Sequence, residues 1–364
     1  MNAAIITQPL KNNFGGIIQN YALQEALRAL GHDSTTIRTT QPTRPPSLRM
    51  RVSPIARWIK IMRAIPGGNK LSFLRFASEK QRTNLAEFVS THITATDPLP
   101  RFLVLPGTDA IICGSDQIWR PRYNANLEDM FLKFAEQADI IRVAYAASFG
   151  VDYWEYSEAQ TMECSRLLDM FHSVSVRERS GAELCRRHLG HQAEWVVDPT
   201  MLLGAEKYME LCSHFPMKYA NRIGCYMLDP DRNKLKLLGR IGKRLDKRIR
   251  DCNPAKAPME EWLSMFRDAD FIVTDSFHGT VFAIIFNKEF VTISNPTRGN
   301  ARFSSLLEPL GLAGRMTLSP EKAEKIAMEP IDWTRVKSVL EKLRSASLGF
   351  LETSLNNLSK PEAK

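Results

Sequence analysis

No apolar run in this 364-residue chain approaches the roughly 20 consecutive residues that a membrane-spanning helix needs. Cysteine is scarce: six residues, at positions 113, 164, 185, 212, 225 and 252, none in a Cys-x-x-Cys pair. That pattern argues against a disulfide framework and a Cys-x-x-Cys zinc site, and points to free thiols in or near the core. The stretch from Met1 to Pro9 has no basic region and is too short for a signal peptide. It reads as a first strand, and a cytoplasmic location is expected. Negative charge is missing from one long segment. Between Ser34 and Ser78 there is no Asp or Glu, while nine Lys or Arg stand at 38, 44, 49, 51, 57, 60, 63, 70 and 75, as many as the chain's net charge of +9. No recognised nucleic-acid motif accompanies this charge, so no nucleic-acid partner is expected. Inside the segment, residues 55–65 can separate apolar from basic side chains on a helix, with Trp58 at the boundary. Peripheral contact with an anionic membrane and a basic loop in solvent are equally good readings.

What is present is an alternation of short apolar runs and helical patterns. Hydrophobic residues make up 44%, enough for ordinary cores, and the length suggests two domains. Strands are expected at 3–7, 110–113, 142–150 (with a turn), 173–176 and 194–200, with helices at 17–30, 71–92, 158–171 and 180–189. Ser180 and Glu183 offer a capping box, and Gly190 a stop, for the last of these. After a composition break near 200–222, a strand is expected at 223–228, a basic helical stretch at 231–250, a helix at 259–267, a loop at 297–303 and a final helix from Trp333 to Leu358. The alternation argues for an α/β doubly wound architecture. Its parts would be an N-terminal domain over 1–210 carrying the basic 34–78 insertion, a C-terminal domain over 211–330, and a helix and tail over 331–364, the helix packing back on the N-terminal domain.

The most informative stretch is residues 271–293. An apolar run, Phe271 to Val273, is followed by a tight turn, a short apolar helix ending at Asn287, and a second apolar run, Phe290 to Ile293. This is a βαβ unit with parallel strands. Asp275, Ser276 and His278 fall at the carboxyl end of its first strand, where open parallel sheets place ligands. The helix behind them starts with free N–H groups that favour an anion. Other loops fall at strand ends as well: Gly15-Gly16, Gly114 to Trp119, Ser148, Arg177 to Arg179 and Asp198 to Thr200. Asp229-Pro-Asp231 has the form of a metal-binding Asp-x-Asp, but a proline-centred turn is the stronger reading.

In order along the chain, Asn13-Phe-Gly-Gly-Ile-Ile-Gln, Gly114-Ser-Asp-Gln-Ile-Trp, Tyr145-Ala-Ala-Ser-Phe-Gly, Ser175-Val-Arg-Glu, Val197-Asp-Pro-Thr and Thr274-Asp-Ser-Phe-His-Gly-Thr resemble the motifs of the polysaccharide pyruvyl transferase family. The resemblance implies two Rossmann-like domains facing across a cleft, as in GT-B glycosyltransferases. It also implies transfer of pyruvate from phosphoenolpyruvate to a sugar diol as a ketal, with phosphate released, in the making of capsule, exopolysaccharide or cell-wall glycans. That chemistry needs a general acid, a base and cationic donors for a carboxylate and a phosphate, but no metal and no redox cofactor. On this reading His278 is the acid and Asp116 the base or an acceptor-hydroxyl anchor. Arg177, at the position of the family's Val-Arg-Glu arginine, Ser276 and His278 hold the donor. Many family members carry Arg-Leu before the histidine, where this chain has Ser276-Phe277; Arg298 or Arg302 in the following loop would supply the missing cation. Asn20, Gln117, Trp119 and Ser148, with Asp116, are the expected acceptor contacts. The acceptor is a glycan or its precursor, with a lipid-linked form suited to the basic segment. Two rival readings use the same fold: a sugar-nucleotide glycosyltransferase, and a non-catalytic glycan- or membrane-binding relative.

Overall fold

A computed structural model describes residues 1–11, 13–40, 79–253, 256–294 and 299–356. The first half builds a parallel sheet from β1 (Asn2–Ile6), β2 (Asp33–Thr36), β3 (Ala110–Cys113), β4 (Ile141–Ala147), β5 (Ser173–Val176) and β6 (Glu194–Trp195), in the order β2-β1-β3-β4-β5-β6. Helices α1 (Phe14–Ala29), α2 (Glu79–His92), α3 (Glu158–Leu168), α4 (Arg179–Leu184) and α5 (Ala205–Leu211) accompany it. The second half builds a five-stranded parallel sheet from β7 (Arg222–Tyr226), β8 (Arg248–Asp251), β9 (Phe271–Thr274), β10 (Glu289–Ile293) and β11 (Met316–Thr317), in the order β11-β10-β9-β7-β8. Its helices are α6 (Arg232–Leu245), α7 (Met259–Asp268), α8 (Phe277–Ile285), α9 (Ala301–Leu307) and α10 (Pro320–Ile326), and α11 (Trp333–Asn356) closes the described chain.

Burial explains which strands the sequence reveals. β3 and β9 are interior strands, buried at every residue, and read as unbroken apolar runs. β2, Asp-Ser-Thr-Thr, and β8, Arg-Ile-Arg-Asp, are sheet edges with polar, partly exposed side chains. Neither carries a hydrophobic signal, and β8 lies inside the stretch expected to be helical. Two further expectations change. The helix near 180 starts at Arg179 with Glu178 at its cap and no side-chain cap bond, so Ser180 and Glu183 form no capping box. A capping box does exist at Ser157 and Gln160, heading α3. Ala301 to Phe303, expected as loop, opens α9. All six cysteines are free and buried.

The two halves share one core. Phe14, the first residue of α1, stacks on Trp262 of α7 with ring centroids 5.5 Å apart and meets Tyr226 of β7 edge-on. The peptide N–H of Arg179 donates to Ser305 Oγ across the same interface at 3.0 Å. α11 returns to the N-terminal sheet: Val197 N–H donates to Ser347 Oγ, Arg344 donates to the carbonyls of Met201 and Leu203, and Phe350 packs on Tyr145. Among the described residues no helix is long and apolar enough to cross a membrane.

Candidate active site

The site is assembled where the carboxyl ends of the two sheets meet. In the C-terminal half, Thr274 ends β9 and its hydroxyl donates to the Tyr226 carbonyl at 2.6 Å, tying the turn to β7. Ser276 then caps α8, its Oγ accepting from Gly279 N–H at 3.2 Å. This cap projects His278 from the first turn of the helix toward the N-terminal half. There the imidazole lies directly on Gly15. A Cβ at that position would stand 2.0 Å from His278 Nδ1, so only glycine admits the ring.

In the N-terminal half, β6 runs out into Asp198. Its Oδ1 accepts from Thr200 N–H at 3.0 Å and from Thr200 Oγ1 at 2.7 Å, which fixes the carboxylate. Its Oδ2 accepts from Arg177 Nη1 at 2.7 Å and from Ser115 Oγ at 3.2 Å, and stands 3.5 Å from His278 Nε2. Thus an arginine of one domain and a histidine of the other converge on one carboxylate oxygen. Arg177 is further held by Glu178, 3.4 Å from its Nε, and by Asp116, 3.7 Å from its Nη2, and its guanidinium lies over the Phe277 ring at 4.7 Å. Arg302 of α9 lies over the same ring at 5.5 Å.

Burial would push the Asp198 carboxyl up, but His278 and then Arg177 outweigh it and hold the group well below the usual carboxylate range. Burial likewise pulls on the Arg177 guanidinium, and Asp198, Glu178 and Asp116 overcome it, keeping Arg177 charged. Arg302 behaves differently. Burial, reinforced by the like charge of Arg177, brings it down to about 10. Despite this concentration of charge, Arg177 Nη2 and His278 Nε2 are buried without a hydrogen-bond partner. The void beside Arg177, Asp198, Phe277 and Arg302 is only about 20 Å³. His278 and Asp116 remain 6% and 8% exposed.

The other expected site residues divide. Asp116 adopts a left-handed backbone with φ of 75°, turning its carboxylate toward α1, where Oδ2 accepts from Asn13 Nδ2 at 3.3 Å. Gln117 follows it, with its buried Nε2 unpartnered against Gly150. Ser148 donates to Glu178 Oε1 at 2.5 Å and so steadies a partner of Arg177. Trp119 is not brought to the cleft: it is fully buried, stacked on Phe131 at 4.7 Å, and its indole N–H donates to the Met130 carbonyl. Asn20 is also interior, accepting from Thr36 Oγ1 at 2.9 Å. Arg298 lies outside the described residues. Asp231 caps α6 through Asn233 and Lys234 N–H groups, and Glu183 pairs with Arg186 and Arg187 at the surface, away from Arg177. Among the described residues no group of three or more His, Cys, Asp or Glu is placed to hold a metal. Asp198, Glu178 and Ser115 carry much of the geometry. Each lies in a motif visible in the sequence, but only the fold shows that the three motifs meet.

Two Rossmann-like α/β domains joined by a cleft with a charged cluster define a protein of GT-B-like architecture. Staphylococcus aureus MnaA, solved with UDP, matches with a TM-score of 0.50 at 12% identity, over 100% of this chain and 99% of that one. A UDP-GlcNAc 2-epimerase from Neisseria meningitidis, bound to UDP-GlcNAc, has a TM-score of 0.48 at 10% identity, over 98% and 97% of the two chains. Identity this low speaks to fold alone. No curated protein matches the chain. The sequence family described as polysaccharide pyruvyl transferase matches residues 13–297. The chain belongs to that family.

Proposed function

We propose that the protein transfers pyruvate from phosphoenolpyruvate to two hydroxyls of a sugar in a glycan or glycan precursor, as a ketal, and releases phosphate in surface-polysaccharide synthesis. The observation that carries this is the convergence of Arg177 and His278, from opposite domains, on Asp198 Oδ2. His278 protonates the methylene carbon of the enol phosphate. One sugar hydroxyl adds to C2, its proton passing to Asp116; the C–O bond to phosphate breaks, the phosphate leaving with the proton from Asp116; and the second hydroxyl closes the ketal, its proton restoring His278. Asp198 is a positioning residue, setting the orientation of the His278 ring from 3.5 Å. Three carboxylates, Asp116, Glu178 and Asp198, stand against two guanidiniums here, so the cluster is not a ready anion trap. Arg177 is largely neutralised by Asp198. Arg302, brought close to Arg177 at a cost in like-charge repulsion, is the cation whose charge an incoming carboxylate or phosphate would best offset. It takes the part of the arginine that Ser276-Phe277 lacks. The donor enters on the cleft face at His278 and Asp116, since the void behind Phe277 is too small for it. A cytoplasmic location is part of this proposal; residues 41–78 of the basic segment, the candidate for contact with the inner face of the membrane, lie outside the described residues.

His278→Ala and Arg177→Ala test this by phosphate release from phosphoenolpyruvate with a total glycan-precursor extract as acceptor. Loss of the acid is expected to cost about 10²- to 10⁴-fold. Unchanged release in both variants contradicts the mechanism.

A further inference from the structure

A far larger cavity than the void at the charged cluster stands elsewhere among the described residues. It lies in the N-terminal domain, about 650 Å³, at the carboxyl ends of β1 and β2 and under the loop after β3. A volume of that size suits a sugar with a phosphorylated substituent. Its walls differ in kind from the cluster. Among the described residues, Lys11 and Arg38 are the charged side chains that line it, and no carboxylate does. The rest of the wall mixes amides and hydroxyls with aromatic and aliphatic side chains, among them Leu10, Ile37 and Met130. The amides are fixed: Gln8 Nε2 donates to Asn124 Oδ1 at 2.9 Å, and Asn124 Nδ2 donates to the Ile118 carbonyl at 2.6 Å. Tyr123, half-buried, is backed by the Arg120 guanidinium 5.4 Å from its ring. The cavity is also wired to the reaction centre. Thr7 of its floor donates to the Ser115 carbonyl at 3.3 Å, and Ser115 Oγ donates to Asp198 at 3.2 Å.

We infer that this cavity binds the acceptor as a glycosyl phosphate or diphosphate, with the sugar against Gln8, Asn124 and Tyr123 and the phosphate between Lys11 and Arg38. The inference rests on the reading above that the acceptor is a glycan precursor. Fixed amides and an aromatic ring give a sugar hydrogen bonds and an apolar face. The two cations, with no carboxylate among the described lining residues, supply the counter-charge for the phosphate. Nucleotide-linked and lipid-linked sugars share this chemistry.

Acetylation of the Lys11 amine, followed by mass spectrometry on the full chain, reads occupancy. The probes are UDP-glucose, UDP-galactose and UDP-N-acetylglucosamine, then the same sugars on a short prenyl diphosphate, with the methyl glycosides as uncharged controls. At least one diphosphate is expected to slow modification of Lys11 about tenfold while leaving exposed Lys337 unchanged, and Arg38→Ala to weaken that protection about tenfold, the loss of one charge-assisted contact. Which arm protects identifies the carrier. Protection by none of the diphosphates, or equal protection by methyl glycosides, overturns the inference. Phosphoenolpyruvate binding, followed by melting temperature, should be the same in Arg38→Ala as in the parent. If phosphoenolpyruvate binds nowhere while Lys11 protection persists, the donor reading falls and this site stands; the reverse result removes this site alone.

Discussion

Two buried ion pairs occupy equivalent places in this molecule, at the carboxyl ends of the strands of the two sheets, and only one of them is left incomplete. In the C-terminal domain, Lys234 Nζ lies 2.6 Å from Asp275 Oδ2 and also donates to the Asp229 carbonyl at 2.8 Å. Asp275 accepts in addition from the peptide N–H groups of Leu228 and Asp229. The pair locks the loop after β7 to the turn after β9. In the cleft, Arg177 and Asp198 make an equally short pair, but Arg177 Nη2 and His278 Nε2 beside it have no hydrogen-bond partner. Strand-end position is common to both. Unused hydrogen-bonding capacity is what separates the Arg177–Asp198 cluster from the Lys234–Asp275 pair.

Substitutions sharpen that distinction. Asp275→Ala leaves a buried ammonium and two peptide N–H groups without their acceptor, and is expected to lower stability by roughly 3–5 kcal/mol. Denaturant unfolding measures it; a loss under 1 kcal/mol would put the two pairs in the same class. Gly15→Ala acts in the cleft instead. The added methyl must displace the His278 ring, and a shift of about 1 Å in a catalytic group is expected to cost on the order of a hundredfold in phosphate release with little change in melting temperature. Wild-type turnover in this variant would mean that the ring position is irrelevant.

Asp198→Asn is expected to cost less stability than Asp275→Ala, and its effect depends on pH. The folded carboxyl sits below its ordinary value, so its ionised form contributes stability that is present above about pH 4 and is lost as pH falls through the folded value. The variant should therefore be less stable than the parent at pH 7, by about 1.5–3 kcal/mol if one charge-assisted contact is lost, and the gap should narrow toward pH 2. A gap that is constant with pH contradicts the pairing.

The interior of the fold was legible because fully buried strands such as Phe271–Thr274 leave unbroken apolar runs, and because motif loops in a parallel sheet must share one edge. The edge strands β2 and β8 were not, since side chains facing water carry no apolar pattern. Motif membership also could not separate His278, at the cleft, from Trp119, which sits in the same kind of strand-end loop but stacks on Phe131. Ring burial is decided by α-helical and loop neighbours far away in sequence. The role of Asp198 became visible only when β6, β5 and α8 were placed side by side.

A crystal structure with phosphoenolpyruvate bound tests the shared site most directly. The three-carbon acid is expected between the domains, its carboxylate or phosphate within hydrogen-bond distance of Arg177 or Arg302 and its methylene carbon facing His278. Phosphoenolpyruvate seated elsewhere, with Arg177 and His278 touching none of its atoms, would contradict it.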